Sequence, residues 1–336
     1  LTAIPARLGA LPALRDWLGE LAALGPPPLP PPRPSPRAAA AVLVQQLGAP
    51  AGEVPGIVAT LPSPEADPDR WWAHERAYHR LTAGIGAGGD PVPATDGRGP
   101  WGTWPLLPAT LGPGWQWFYV HLFLAAVPGA VRLHEAWGVD PAVSRATLRN
   151  IGRNVALHRE LHGSPGLHAP DWLVLNVRGA LFHLGRLQFL RGRAGWTTLG
   201  APFAAGDPVL DLHIPPTGPL TPEAVDGSFS LARAFFGKHF PADDSRWGVC
   251  TSWLLDPQLG RYLPGDSNII RFQRRFRLDP DLELPGDESI IEFVFRRVDT
   301  PLGELPRRTS LHRAVIDHLD DGGRWRMRRG WCEVSA

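Results

Sequence analysis

The sequence predicts an α+β protein in which a helical N-terminal domain is followed by a mixed β-sheet with flanking helices. The chain has 336 residues, more than one ordinary core of about 100–200 residues needs. Apolar residues recur at helical spacing in the first half, and after about Phe182 their spacing changes to the alternation typical of strands. A hydrophobic fraction of 43% and 14 Trp are typical of a folded chain and exclude a disordered one.

Residues 1–37 are expected to form an N-terminal helix and a linker. Leucines between Leu8 and Leu21 are spaced for one face of an amphipathic helix that ends near Gly25. Residues 25–37, GPPPLPPPRPSPR, contain too much proline for a helix or a central strand. They predict an extended spacer, with a ligand for a proline-binding module as the alternative.

Residues 38–180 are expected to form the helical domain. Asp67-Pro68 and Asp140-Pro141 each place an N-capping side chain before a proline at the first helical position. Helices are therefore predicted at 38–47, 67–83, 114–127 and 141–161, with a last one near Trp172.

Residues 181–336 are expected to form the sheet domain. Leu210, Leu212 and Ile214 alternate with polar residues, as strand residues do, and Thr221 is an N-cap before a long apolar helical stripe. Strands are predicted at 187–189, 210–214, 247–255, 290–295 and 325–334, and helices at 221–240, 267–277 and 309–319.

Composition limits the partners and the compartment. The formal net charge of +1 gives no reason to expect nucleic acid or an anionic membrane as a partner. Two cysteines, Cys250 and Cys332, cannot form a disulfide framework, and no signal peptide is seen, so we expect a cytoplasmic protein. The most apolar run, residues 115–133, is interrupted by polar residues and proline, so no membrane span is expected.

Three segments carry a resemblance to a known family. They are LDLHIPPTGPLTPEAVDGSFSLARAFFGKHF at 210–240, CTSWLLDPQLGRYLPGDSNIIRFQRRF at 250–276 and LPRRTSLHRAVIDHL at 305–319. The chain resembles actinobacterial-type acyltransferase-domain proteins, from GC-rich Gram-positive bacteria, in which a helical region precedes a GNAT-like C-terminal domain. The resemblance covers about residue 38 to the end and implies a GNAT-like fold for residues 181–336.

The resemblance implies transfer of an acyl group, expected to be acetyl, from acetyl-CoA or another acyl-CoA to an amine or similar small-molecule acceptor. In GNAT enzymes the amine attacks the thioester directly, so a base and an oxyanion donor are needed and no metal is. The alternative is a GNAT-like module that has lost catalysis and binds a small molecule or a protein. The resemblance does not predict the oligomeric state.

GNAT enzymes hold the CoA diphosphate in a Gln/Arg-x-x-Gly-x-Gly/Ala loop between the fourth strand and the next helix. This sequence lacks that motif. Residues 255–268 are the expected place of the loop, before a predicted helix that carries arginines. The candidate phosphate-binding residues are Gly265, Ser267, Asn268, Arg271 and Arg275. A capped surface helix with exposed arginines is the alternative interpretation.

Three side chains are candidates for proton transfer. His213, near the end of the second strand, is a candidate base because an imidazole titrates near neutral pH, and a structural histidine is the alternative. Glu292, in the middle of a predicted strand, is a second candidate, unless it faces solvent. Tyr262 is a candidate donor to the leaving thiolate, or else it packs on its own loop.

Other patterns point more weakly to chemistry. The glycines of residues 84–89 match G-x-G-x-x-G, but no strand precedes them and no helix follows, so a mobile loop is preferred to a dinucleotide site. His158 and His162 share a helical face without a third metal ligand. Cys250 is either a nucleophile or, as we prefer, a buried small apolar residue.

Overall fold

The computed structural model describes residues 4–83, 85, 92–93, 104–198 and 200–334, with backbone only at 92–93. It divides into two compact units. The first comprises residues 1–90, 97–159 and 163–182, and the second comprises residues 91–96, 160–162 and 183–336. The glycine pattern at 84–89 lies, except for Ile85, outside the described residues.

The first unit is helical in its described residues, apart from residues 181–182, which begin the strand Leu181–Leu184. Its helices are α1 (Ala6–Gly9), α2 (Arg15–Leu24), α3 (Pro36–Gln45), α4 (Val54–Ala59), α5 (Pro68–Thr82), α6 (Phe118–Ala136), α7 (Pro141–Leu148), α8 (Asn150–His162) and α9 (Pro170–Val177). The predicted caps are confirmed, since Asp67 accepts from the Arg70 amide and Asp140 from the Ala142 amide. Ser35 caps α3 in the same way, because its hydroxyl satisfies an amide that has no partner within the helix.

Two helix predictions in this unit need correction. The first predicted helix is broken into α1 and α2, because Pro12 cannot continue a helical ladder. Helix α6 begins later than predicted and runs through Pro128, because Phe118 to Val127 are buried all round and their packing outweighs one missing amide. None of the helices in the described ranges is long and apolar enough to cross a bilayer.

The second unit is a mixed sheet with flanking helices. Its strands are β1 (Val92–Pro93), β2 (Leu181–Leu184), β3 (Leu187–Arg193), β4 (Pro208–His213), β5 (Trp247–Ser252), β6 (Arg277–Pro285) and β7 (Arg326–Glu333). Its helices are α10 (Pro222–His239), α11 (Asn268–Gln273), α12 (Asp287–Phe295) and α13 (Ser310–Asp320). Thr221 caps α10, Ser267 caps α11 and Thr309 caps α13.

The strand order is β1-β3-β4-β5-β7-β6, with β2 also paired to β3. Strands β4 and β5 are parallel and are joined through α10, whereas β3–β4, β5–β7 and β6–β7 are antiparallel. A parallel pair needs such a crossover because a short hairpin joins only antiparallel strands. The α+β class predicted from the change of apolar spacing is confirmed.

The strand predicted at 290–295 is wrong, since these residues belong to helix α12. Ile290 and Phe295 are its buried residues, and Asp287 and Glu288 lie in its first turn, where the helix dipole favours negative charge. Glu292 is therefore on a helix and not in a strand. A short apolar run fits either period, which is why its β-branched and aromatic content was misleading.

Strand β6 was not predicted, because its sequence RLDPDLELP is rich in acid and proline. It lies at the edge of the sheet, where proline is tolerated. Its buried Asp279 accepts hydrogen bonds from Nε and Nη2 of Arg329 on β7 at 2.9 and 2.6 Å. Arg329 also stacks on Trp196, with 3.8 Å between the guanidinium carbon and the ring centroid. This charge-assisted pair is a long-range contact that local propensity does not encode.

Candidate active site

The parallel strands β4 and β5 separate towards their C-terminal ends. They pair only through residues 210–211 of β4 and 248–249 of β5, although both strands are described along their full length. On its other side β4 stays paired with β3 as far as His213, and β5 stays paired with β7 as far as Ser252. The sheet therefore opens between its two central strands. Backbone groups on the facing edges are left for solvent or a ligand.

A cavity of about 660 Å³ lies at this opening. Its wall is formed by the ends of β4 and β5, the loop at 214–220, the start of α11, and parts of α12 and α13. The arginine and histidine side chains of the wall are Arg186, His213, Arg296 and His312, and no aspartate or glutamate belongs to it among the described residues. The lining is otherwise mostly apolar. A long apolar ligand with an anionic group suits such a wall.

His213 lies at the mouth of the opening and lines the cavity. Its Nε2 is 3.4 Å from Oδ2 of Asp211, two residues earlier on β4. Residues two apart in a strand point to the same face, so this pairing follows directly from the Asp-Leu-His sequence. The Asp211 carboxylate therefore lies beside one ring nitrogen of His213, on the same face of the strand. His213 is thus placed to accept a proton in the cavity.

Cys250 also lines the cavity but is buried in β5. Burial raises its pKa well above the usual range for a thiol, and the nearby Asp211 and Cys332 raise it further. A thiol with such a pKa stays protonated at neutral pH, whereas the thiolate is the nucleophilic form. The site therefore suits direct attack by an acceptor better than an acyl-cysteine intermediate.

Ser252, at the end of β5, was not singled out as a site residue. Its Oγ accepts a hydrogen bond from the Leu254 amide at 3.1 Å, which leaves its own O–H to donate elsewhere. It lines the cavity beside the strand opening. The signal in the sequence is a polar Thr-Ser pair at the end of strand β5.

The predicted phosphate-binding residues are only partly brought together. Ser267 and Asn268 line the cavity, but Gly265, Arg271 and Arg275 do not. Ser267 accepts from the Ile270 amide as the N-cap of α11, which has six residues. Arg275 forms an ion pair with Asp226 at 2.6 Å, and Arg271 is exposed.

Two of the three predicted proton-transfer residues also lie outside the cavity wall. The Tyr262 hydroxyl is 3.1 Å from Nδ1 of the buried His318, and its ring packs on Trp325. Glu292 is half-buried on α12, while its neighbours Phe293 and Val294 reach the cavity. Of the three residues, only His213 lines the cavity.

No cluster of three or more metal-binding side chains occurs among the described residues. Nδ1 of His158 is 3.1 Å from the carbonyl oxygen of Ser164, which accounts for one of its two ring nitrogens. Among the described residues, no third metal-binding side chain therefore lies with His158 and His162.

Solved structures with the same fold cover nearly the whole chain. An acyltransferase in complex with decanoyl-CoA is 40% identical, covers 98% of both chains and has a TM-score of 0.87. At the same identity and coverage, an acyltransferase with decanoyl-CoA and teicoplanin has a TM-score of 0.85, and one with CoA and 10C-teicoplanin has 0.86. The chain belongs to this acyltransferase family.

Two family models match the two parts of this N-acyltransferase. Residues 38–179 match the N-acyltransferase N-terminal domain, and residues 181–332 match the GNAT-like C-terminal domain. Among curated proteins, no sequence matches at a significant level. The predicted resemblance to helical-plus-GNAT-like acyltransferases is confirmed.

Proposed function

We propose that this N-acyltransferase transfers a medium-length acyl chain from acyl-CoA to an amine of a small-molecule acceptor of the glycopeptide type. The observation that carries the proposal is the cavity of about 660 Å³ at the point where β4 and β5 separate. Relatives 40% identical over 98% of the chain hold decanoyl-CoA, and one also holds teicoplanin. The acetyl group expected from the sequence stays a prediction, and we favour a longer chain.

The charge of the cavity suits an acyl-CoA. CoA carries phosphates at one end and an acyl thioester at the other, so its site needs cations and an apolar wall. Arg186 and Arg296 line the cavity and no carboxylate does, within the described residues. The apolar part of the wall includes Leu311 and Met327, from α13 and β7, which suit an aliphatic chain.

We place the diphosphate at residues 214–221 and not at 255–268. Along the described chain the fourth strand is β4 and the next helix is α10, so this loop occupies the position that the resemblance gives to the phosphate cradle. The loop lacks the Gly-rich motif, but it precedes an 18-residue helix, whose N-terminal amides and dipole favour an anion. Most of its residues line the cavity.

The reaction needs a proton acceptor and an oxyanion donor. In the proposed mechanism the acceptor amine attacks the thioester carbonyl while His213, paired with Asp211, takes its proton. The new C–N bond forms, the C–S bond breaks, and the proton passes from His213 to the CoA thiolate. The Ser252 hydroxyl and backbone amides of the opened strands are the donors available to the oxyanion.

The direct test is acyl transfer observed by mass spectrometry. Purified protein is incubated with decanoyl-CoA and a teicoplanin-type glycopeptide whose amino group is free. The proposal predicts a product heavier by one decanoyl group and an equal amount of free CoA. CoA release without an acylated product would show thioester hydrolysis and would exclude this acceptor class.

The missing Gly-rich motif favours one other function, a GNAT-like module that binds its ligand without catalysis. The same experiment separates the two, because such a module binds decanoyl-CoA yet releases no CoA with any amine offered. Glycopeptides, amino sugars and amino acids should therefore be compared as acceptors before transfer is excluded.

A further inference from the structure

The tight turn between β2 and β3 supplies an arginine to the cavity wall. Gly185 has a φ of 69°, and its neighbour Arg186 donates its amide hydrogen to Ser228 Oγ on α10 at 2.7 Å. A Cβ on Gly185 would lie 2.7 Å from the same oxygen. Only glycine fits this close approach, so the turn is fixed against α10 and the backbone of Arg186 is fixed with it.

The Arg186 guanidinium binds three carbonyl oxygens of the loop at 214–221. Its Nε donates to Gly218 at 2.9 Å and to Pro219 at 3.2 Å, and its Nη1 donates to Pro215 at 2.6 Å. Three of the eight loop residues are prolines, which have no amide hydrogen for backbone bonding. The guanidinium of Arg186 therefore supplies hydrogen-bond donors to this loop. A glycine-rich loop has its own amide hydrogens and would not need them.

The charge of Arg186 has no carboxylate partner among the described residues. It forms none of the ion pairs found there, and burial alone lowers its pKa. Arg186 lines the cavity beside the loop. A half-buried cation without a counter-ion, on the wall of a cavity without acids, favours an anionic ligand.

We propose that Arg186 is the positioning residue of the phosphate site, an inference that rests on the proposed function. By binding the carbonyl oxygens of residues 215, 218 and 219, it fixes the path of a loop without the usual glycines, and through the Pro219 carbonyl it fixes the peptide plane that carries the Leu220 amide. Its positive charge also stabilises the CoA phosphates. In this proposal Arg186, from a turn distant in sequence, fixes the loop conformation that the Gly-rich motif fixes locally in GNAT enzymes.

The test compares two ligands that differ in their phosphates. Decanoyl-CoA and decanoyl-pantetheine are titrated calorimetrically into the wild type, Arg186→Ala and Arg186→Lys. We expect Arg186→Ala to raise the Kd of decanoyl-CoA about tenfold or more and to change that of decanoyl-pantetheine by less than about twofold. Arg186→Lys should recover part of the loss, since it keeps the charge but not the planar fork.

Arg193→Ala is the matched control. Arg193 also donates to a backbone carbonyl, that of Gly206 at 2.9 Å, but it lies outside the cavity wall. The Arg193→Ala substitution removes the same charge and should leave the Kd values of both ligands unchanged. The inference would be overturned if Arg186→Ala raised the Kd of both ligands equally, or if it left the Kd of decanoyl-CoA unchanged.

Folding is checked by thermal unfolding of each variant. If Arg186→Ala does not fold, the test uses Arg186→Lys. This variant must weaken the binding of decanoyl-CoA more than the binding of decanoyl-pantetheine. A wild type that binds neither ligand would overturn the proposed function and this inference together. A wild type that distinguishes the ligands, with variants that do so equally well, would overturn only the role of Arg186.

Discussion

The imidazole Nε2 of His213 lies 3.4 Å from the Asp211 carboxylate, on one face of a strand that has just separated from its parallel neighbour. In the proposed mechanism His213 is the base, and this pairing places a carboxylate beside it before any ligand enters. Because β4 stays paired with β3 as far as His213, the base is held by a regular strand and not by a loop. Such positioning limits the reorganisation needed when the proton moves.

Replacing His213 with Gln should lower kcat by about 10²–10⁴-fold, the usual contribution of a general base. The Kd of decanoyl-CoA should change little, because Gln keeps a polar side chain of similar size. The measurement is CoA release at saturating decanoyl-CoA with an acceptor that the wild type uses. His239→Gln, on α10 outside the cavity wall, is the control. A kcat within about threefold of the wild type would exclude His213 as the base.

Cys250→Ala should keep most of the acyl-transfer activity. Burial holds the pKa of this thiol well above its usual range, so it is not a nucleophile at neutral pH. Intact-protein mass spectrometry during turnover should find no acyl group on the chain. A loss of kcat of about a thousandfold in a folded Cys250→Ala variant would point instead to an acyl-cysteine intermediate.

Met327→Trp should shift the preference towards shorter acyl chains. Met327 is the only methionine of the chain and lines the cavity from β7. A larger side chain there takes space from the acyl chain, and each methylene excluded costs about 0.8 kcal/mol of burial. The ratio of kcat/KM for decanoyl-CoA to that for butyryl-CoA should fall, while Met327→Leu should keep it. An unchanged ratio in both variants would place the acyl chain elsewhere.

Acid should destabilise the first unit through three buried histidines. Burial lowers the pKa of His74 and His134 from 6.5 to about 4 and that of His121 to about 3. Between pH 6.5 and about 4 the unfolded chain binds protons that the folded chain does not. Stability is therefore complete above pH 6.5 and falls as the pH is lowered, by up to about 1.4 kcal/mol per pH unit for each histidine.

Urea unfolding of the full chain at several pH values checks this slope. The His134→Gln variant should show a shallower fall, since one of the three proton sites is gone. Urea midpoints that do not change between pH 7 and pH 4.5 would show that protonation of these histidines is not coupled to unfolding.

The sequence predicted the elements whose signals are local. The caps at Asp67, Asp140 and Thr221 each mark a helix, because a capping side chain and its amide lie within three residues. The alternation around Leu210 likewise marks β4. Segment 290–295 was assigned wrongly because six apolar-rich residues fit two periods, and tertiary packing decided between them.

The site was predictable only in part, because it depends on distant residues. His213 was found from its side chain and its place at a strand end. The opening between β4 and β5 depends on which strands pair, and residues 186 and 218 meet across 32 positions of sequence. The short strands β1 and β2 were not predicted, so counting strands along the sequence could not identify the loop at 214–221, where we propose the phosphate site.

Calorimetric titration of decanoyl-CoA into the purified chain tests whether the cavity between β4 and β5 is an acyl-CoA site. We expect saturable binding of one decanoyl-CoA per chain, and we expect added salt to weaken it because the phosphates lie close to arginine side chains. Absence of binding at high micromolar concentrations of decanoyl-, octanoyl- and acetyl-CoA would contradict this expectation.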